Sequence, residues 1–258
     1  MIPTWLIIFT YATVFYFGAV IGSFFNVLAI RIPRKENFVT TRSHCDSCGY
    51  QLEWYDLVPI FSYVFLGGKC RKCKASISAQ HLFLEVLNGL LYILILFFCG
   101  MNFEFIIYCL MASSLLSLSV IDFKTYTIPI GFNYFIGILG IIRIILDYTH
   151  WYDYLIGGVC VSGFIVLIIL ATHGAGMGDG DAKLMAAAGL VLGWKLIVLA
   201  FLLGCIFGSI VHPIRMKLSK QGHELAFGPY LSAGILVALL WGNQIIDWYL
   251  GFLPQTVV

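Results

Sequence analysis

The chain has 258 residues, of which 60% are hydrophobic and only 11% charged, with a formal net charge of +2. Soluble domains carry roughly a quarter charged residues, so this composition excludes an ordinary soluble globule and predicts a polytopic membrane protein. The small net charge says nothing about nucleic acid; there is no long basic run, and no nucleic-acid partner is expected.

A spanning helix needs about 20 apolar residues. Eight segments approach that length: 4–30, 82–99, 103–121, 129–146, 153–172, 181–193, 195–212 and 229–251. The first is too long for a signal-peptide core of roughly 7–15 residues, and Met1-Ile2-Pro3 before it has no basic residue, so it reads as a retained span. Small residues at four-residue spacing, Gly18 with Gly22 and Gly204 with Gly208, mark candidate close helix contacts. No internal repeat and no low-complexity tract is visible.

The one long polar segment follows the first span. It carries Arg31, Arg34, Lys35, Arg42, Lys69, Arg71, Lys72 and Lys74; Lys124, Lys183, Arg215, Lys217 and Lys220 fall in alternate later loops. Thirteen of the 15 basic residues thus share one face, with only Arg143 and Lys195 toward the other. Basic loops stay in the cytoplasm, so this face is expected to be cytoplasmic and both termini outside.

Four of the eight cysteines lie in that segment, as Cys45-x2-Cys48 and Cys70-x2-Cys73 with 21 residues between the pairs. Two such turns supply four thiolates for a tetrahedral zinc site. A reducing cytoplasm favours metal over disulfide. Four thiolates on Zn²⁺ leave a charge of −2, which Lys69, Arg71, Lys72 and Lys74 screen. Such a closed site is structural and would staple a loop with little core of its own. Cys99, Cys109, Cys160 and Cys205 sit in apolar runs as small hydrophobes.

Gly176-Met177-Gly178-Asp179-Gly180-Asp181-Ala182-Lys183 lies between the apolar runs Ile156 to Ala171 and Leu184 to Leu192. Carboxylates beside a bilayer are costly and mark function by default, the alternative here being a flexible polar loop between two spans. Asp122 occupies a similar edge, just past the run Ile106 to Ile121 and before Ile128-Pro129. An aspartyl protease needs two such carboxyls, sharing one proton because like charges close together do not both ionise readily. Which of Asp179 and Asp181 partners Asp122 is left open by the residues alone. Glu85, at the head of the second span, either binds a basic part of a substrate, caps a polar network or snorkels at the interface. His173 and Asn26 read as an interfacial polar residue and an interhelical hydrogen bonder. Trp5, Trp54-Tyr55, Trp151 and Trp248 read as interface anchors. No serine–histidine–acid set, phosphate loop or nucleotide-binding glycine fingerprint is visible.

These motifs together resemble the type IV prepilin peptidases, bifunctional leader peptidase/N-methyltransferases of bacteria. The resemblance runs through Gly22-Ser23-Phe24-Phe25-Asn26-Val27 with Arg31-Ile32-Pro33, then Ser43-His44-Cys45 with Cys48-Gly49. It continues through Trp54-Tyr55-Asp56 and Pro59, Gly68-Lys69-Cys70 with Cys73, and Leu84-Glu85. Asp122 with Ile128-Pro129, Gly178-Asp179-Gly180-Asp181 with Lys183-Leu184, and Phe227-Gly228-Pro229-Tyr230 complete it. The GxGD pattern fits twice, ending at Asp179 or at Asp181. The Lys-Leu that follows one residue later in the family selects Asp181, and Asp179 departs from the usual residue type.

The resemblance implies an all-α polytopic membrane protein of about eight transmembrane helices, with a small zinc-ribbon-like cytoplasmic domain between helices 1 and 2. The expected organisation is a first helix at 1–30, a tetracysteine zinc domain at 31–81 and a seven-helix peptidase core at 82–258. It implies cleavage of prepilin or pseudopilin leaders after glycine at the cytoplasmic face of the bacterial inner membrane, by Asp122 and Asp181. It further implies methylation of the new N-terminal residue, usually phenylalanine, with S-adenosylmethionine, toward which Gly68, Lys69 and Glu85 are the expected contributors. Membrane lipid is the other expected partner. A transporter with Asp122, Asp181 and Glu85 as proton-relay carboxylates is the main rival. A peptidase without methyltransferase activity and a non-enzymatic pilus-assembly scaffold are the others.

Overall fold

The computed structural model describes residues 3–37, 39–174, 176–219 and 226–252, with only the backbone of 217–219. Lys220, counted above among the cytoplasmic basic residues, lies outside the described residues, as do Met1 and Ile2. The fold is helical: α1 Thr4–Arg31, α2 Phe61–Phe65, α3 Ala79–Cys99, α4 Phe103–Thr125, α5 Ile130–Leu146, α6 Trp151–Ala171, α7 Asp179–Leu192, α8 Trp194–Ser219 and α9 Gly228–Leu250. No strand occurs among the described residues.

All eight expected spans are helices. Six of them, α1, α3, α4, α6, α8 and α9, are long and apolar enough to cross a membrane, which makes this a multi-pass membrane protein. α5 has 17 residues and α7 only 14. At 1.5 Å per residue, α7 is about 21 Å long, short of a hydrocarbon core of about 30 Å.

The chain divides into two compact units, Met1–Ser117 and Leu118–Val258. In the first, α1 packs on α3. Their approach is close because a Cβ on Gly18 would lie 2.8 Å from the Gly89 Cα, and one on Gly22 would lie 2.7 Å from the Asn88 Cβ. The Asn88 amide, freed to reach across, donates to the Gly18 carbonyl at 2.7 Å and accepts from the Ser113 hydroxyl at 3.0 Å. Asn26 contacts His81 at 2.7 Å, so its expected role as an interhelical hydrogen bonder is met. An apolar solvent gives helices no hydrophobic reason to associate, and close backbone packing with such polar ties supplies one.

In the second unit α7 packs against α5 and α6, and α8 against α9. Gly204 meets Leu231 and Gly208 meets Phe227, so the second predicted glycine pair also lies at a helix contact. At the end of α5 remote from Ile128-Pro129, Asp147 accepts from the Tyr154 hydroxyl at 2.7 Å and pairs with His150 at 3.0 Å and Arg143 at 3.9 Å. Hydrogen bonds from His150 first, then Tyr154 and Thr149, hold the Asp147 carboxyl well below the usual carboxylate range.

Candidate functional site

The cysteine segment has a regularity that its letters hide. Cys45 N–H donates to the Tyr50 carbonyl at 2.9 Å and Leu52 N–H to that of Ser43 at 2.8 Å. Twenty-five residues on, Cys70 N–H donates to the Ala75 carbonyl at 2.8 Å and Ile77 N–H to that of Gly68 at 2.7 Å. One antiparallel bridge closes each turn, His44 with Gln51 and Lys69 with Ser76. The residue after each second cysteine takes a positive φ, +68° at Gly49 and +61° at Lys74. The expectation of no internal repeat is corrected here. Two copies of one knuckle exist, sharing hydrogen bonds and cysteines but almost no other residue identity.

The knuckles bring the Sγ atoms of Cys45, Cys48, Cys70 and Cys73 within 4.8 Å of one another. Cys45 and Cys73 are 3.8 Å apart, beyond disulfide bonding at about 2.05 Å. That separation matches the edge of a tetrahedron with Zn–S distances near 2.3 Å. Four sulfurs at these separations fit a tetrahedral, thiolate-binding metal. Arg71 holds the buried Asp56 carboxylate at 2.8 Å with its guanidinium 4.9 Å over Tyr55.

The second constellation lies in the Leu118–Val258 unit. Asp122 and Asp181 both line one cavity of about 360 Å³, together with Tyr126, Thr127, Ile128 and Phe227. Asp122 is 4% exposed and Asp181 8%. Asp181 sits in the first turn of α7, where helix N–H groups favour negative charge. Gly180 allows Ile128 to lie beside it, since a Cβ there would come within 3.0 Å of the Ile128 Cβ.

Asp122 is in the last turn of α4, the end of a helix that disfavours negative charge. Its compensation comes from 106 residues away, where Gly228 N–H, at the head of α9, donates to Asp122 Oδ2 at 2.9 Å. A Cβ on Gly228 would stand 2.7 Å from that oxygen. Sequence reasoning noted Phe227-Gly228-Pro229 but gave it no task; the signal was a glycine one residue before the proline that opens a helix.

Asp179 also borders the cavity, but its side chain is exposed and ion-paired with Lys183, one helical turn on. His173 is exposed, at φ +50°. Glu85, Gly68 and Lys69 stand in the other unit. Glu85 is buried and accepts the Ile60 N–H at 2.8 Å. Gly68 has φ +67° and donates to the Tyr63 carbonyl at 2.9 Å, and Lys69 is exposed.

Comparison with known proteins places two family models on the chain. The Bacterial Peptidase A24 N-terminal domain matches residues 16–99, and the Type IV leader peptidase family matches 109–212. A relative from Bacillus subtilis (strain 168), called prepilin leader peptidase/N-methyltransferase, is 32% identical over 241 residues, covering 92% of this chain and 96% of its own. Relatives of the same description occur in Pseudomonas aeruginosa, 31% identical over 91% of each chain, and in Aeromonas salmonicida (strain A449), 30% identical over 93% of this chain and 94% of its own. No solved structure matches the chain significantly.

Proposed function

Because the chain belongs to the prepilin leader peptidase/N-methyltransferase family, we propose that it is a bacterial membrane enzyme that removes the leader of prepilins or pseudopilins with an aspartyl dyad, Asp122 and Asp181. The observation that carries this reading is the shared cavity of the two buried carboxyls, reached from one end of α4 and the head of α7. In the proposed reaction one ionised carboxylate takes a proton from water, and the resulting hydroxyl adds to the carbonyl carbon of the scissile peptide. The other carboxyl, protonated, gives its proton to the carbonyl oxygen. Collapse of the tetrahedral intermediate breaks the C–N bond: the departing amine takes the proton that the first carboxyl drew from water, and a hydroxyl of the intermediate returns a proton to the second carboxyl as the product carbonyl re-forms, which restores the dyad. Asp179, committed to Lys183 in the open, has no part in these transfers. Gly228 N–H holds Asp122 in place throughout. Cleavage is proposed after glycine at the cytoplasmic face of the inner membrane, on the basic-loop argument.

Gly228→Ala tests that anchoring. The added methyl must displace the Asp122 carboxyl, and misplacing a reacting group by about 1 Å can cost about 10²-fold in rate. The turnover number for prepilin cleavage is expected to fall by about that factor, with KM nearly unchanged. An unaltered turnover number would show that the anchor is dispensable.

The second proposed activity is methylation of the new amine. S-adenosylmethionine supplies the methyl group when bound. Lys69 and Gly68 suit it chemically, an ammonium for its carboxylate and a bare backbone beside it; the Glu85 carboxylate, the other expected contributor, is buried and engaged by the Ile60 N–H. The experiment is incubation of the purified protein with a prepilin and labelled S-adenosylmethionine, read by mass spectrometry for both leader loss and methyl gain. Lys69→Ala is expected to lower methylation more than cleavage, since Lys69 and the aspartates belong to different units. Equal loss of both, with the protein folded, would count against the assignment.

A further inference from the structure

Residues 57–66, Leu-Val-Pro-Ile-Phe-Ser-Tyr-Val-Phe-Leu, carry no charge although they lie inside the basic cysteine segment. Neither the cysteine cluster nor the aspartate cavity uses them. Their conformation is unusual. Ile60 has φ +64° and ψ −56°, and Phe61 N–H donates to the Pro59 carbonyl at 2.6 Å. That is a γ-turn of the rare, strained kind, centred on a β-branched residue that ordinarily avoids positive φ. Such strain persists only where the surroundings impose it. Here the Ile60 N–H is held by the buried carboxylate of Glu85 at 2.8 Å.

The anchor places the turn beside spanning helices. Glu85 lies six residues into α3, about 9 Å from its start. The Phe61 ring is 6.4 Å from that of Tyr16. Tyr16 precedes Arg31, the basic end of α1, by fifteen residues, or about 22 Å of helix. Past the turn, the single helical turn of α2 points its apolar side chains outward: Phe65 is 85% exposed, Val64 62% and Phe61 53%. Phe61 adjoins the apolar surface of α1 at Tyr16, where Tyr16, Phe17 and Val20 are also exposed, as lipid-facing residues of a spanning helix are.

Lipid tails offer the backbone no hydrogen bonds, so a segment among them needs partners within the protein. Most of the N–H groups here have one. Those of Phe61, Ser62, Val64 and Leu66 donate to carbonyls of residues 58–62, that of Leu57 to the Trp54 carbonyl, and that of Ile60 to Glu85. The uncharged stretch is also too short to span and of the length expected for a re-entrant or interfacial piece.

We propose that residues 57–66 are a re-entrant segment seated among the acyl chains of the leaflet beside Arg31, through which Phe61, Val64 and Phe65 moor the cysteine lobe to the bilayer. The carboxylate of Glu85 is the pin that holds the segment at that depth. This does not depend on the peptidase reading.

The test uses the full chain in vesicles of phosphatidylethanolamine and phosphatidylglycerol. These carry a trace phospholipid with a photoactivatable diazirine in mid acyl chain or, in a parallel sample, on the headgroup. Cross-linked peptides are read by mass spectrometry. The acyl-chain probe is expected to label the peptide spanning 57–66 as strongly as that spanning Phe9–Phe17, and several-fold above the peptide around Cys45–Tyr50. Labelling of 57–66 no stronger than that of Cys45–Tyr50, or labelling by the headgroup probe alone, would overturn the proposal, whether water or another protein covers the segment.

Discussion

Asp122→Asn and Asp181→Asn are each expected to abolish prepilin cleavage. Each removes one carboxyl from a two-member acid–base pair, and loss of a general acid or base costs about 10²–10⁴-fold. Members of a unit that act together lose far more singly than their additive share, so the double variant should be little worse than either single one. Asparagine nearly matches aspartate in shape, and in Asp122→Asn the new amide keeps an acceptor oxygen for the Gly228 N–H, so assembly of α4 and α9 should survive. Asp179→Asn gives the contrast. Its carboxylate is exposed and paired with Lys183 on its own helix, and such surface pairs contribute about 0–1 kcal/mol. Its cleavage rate should stay close to that of the unaltered protein. A cleavage assay on the three single variants, with expression checked, decides the matter. A dead Asp179→Asn beside an active Asp181→Asn would reassign the dyad to the upstream Gly176-x-Gly178-Asp179 match.

Zinc loss is expected to have the next largest effect. Between residues 43 and 78 only Asp56, Pro59, Gly68 and Cys70 are buried. Four residues do not make a core that offsets the conformational entropy of ordering a loop of this length. The four sulfurs, gathered by two copies of the knuckle, offer a metal-bound source of stability for the turns around them. Structural zinc in small domains contributes apparent free energies of about 10–16 kcal/mol, most of which is folding free energy. Purified protein should therefore carry near-stoichiometric zinc by elemental analysis. Cys48→Ser or Cys73→Ser should release it and render residues 43–77 susceptible to proteolysis. Methylation should fall with the metal, since Gly68 and Lys69 flank Cys70. A metal-free preparation with both activities intact would sink the assignment.

Hydropathy alone was enough to locate the eight longer helices, because a bilayer demands long uncharged runs whose backbone bonds are satisfied within the segment. The cysteine cluster was legible for a similar reason. Ligand spacing within a Cys-x2-Cys turn is a local property, and two such turns in one segment need only come together. The two acidic motifs could be read as candidates from their place at the ends of apolar runs, and the glycine pairs 18/22 and 204/208 as contact points from their four-residue spacing.

What depends on residues far apart in the chain was not available locally. The hydrogen bond from Gly228 to Asp122 joins positions 106 residues apart, and no periodicity links them. The knuckle repeat was hidden because a hydrogen-bond pattern is made by backbone atoms, which Gly49 and Lys74 share despite different side chains. The exposure of Asp179 and the burial of Asp181 follow from helical rotation about α7, which turns residues two apart to different faces. Residues 57–66 looked like part of a polar loop by position. Only the meeting of Ile60 with Glu85 and of Phe61 with Tyr16 put them alongside the spans. The sequence by itself therefore determined the elements and the chemistry each can carry, since those are properties of short runs of residues. The tertiary structure alone decided which groups meet, because a meeting depends on packing between helices that no local pattern encodes.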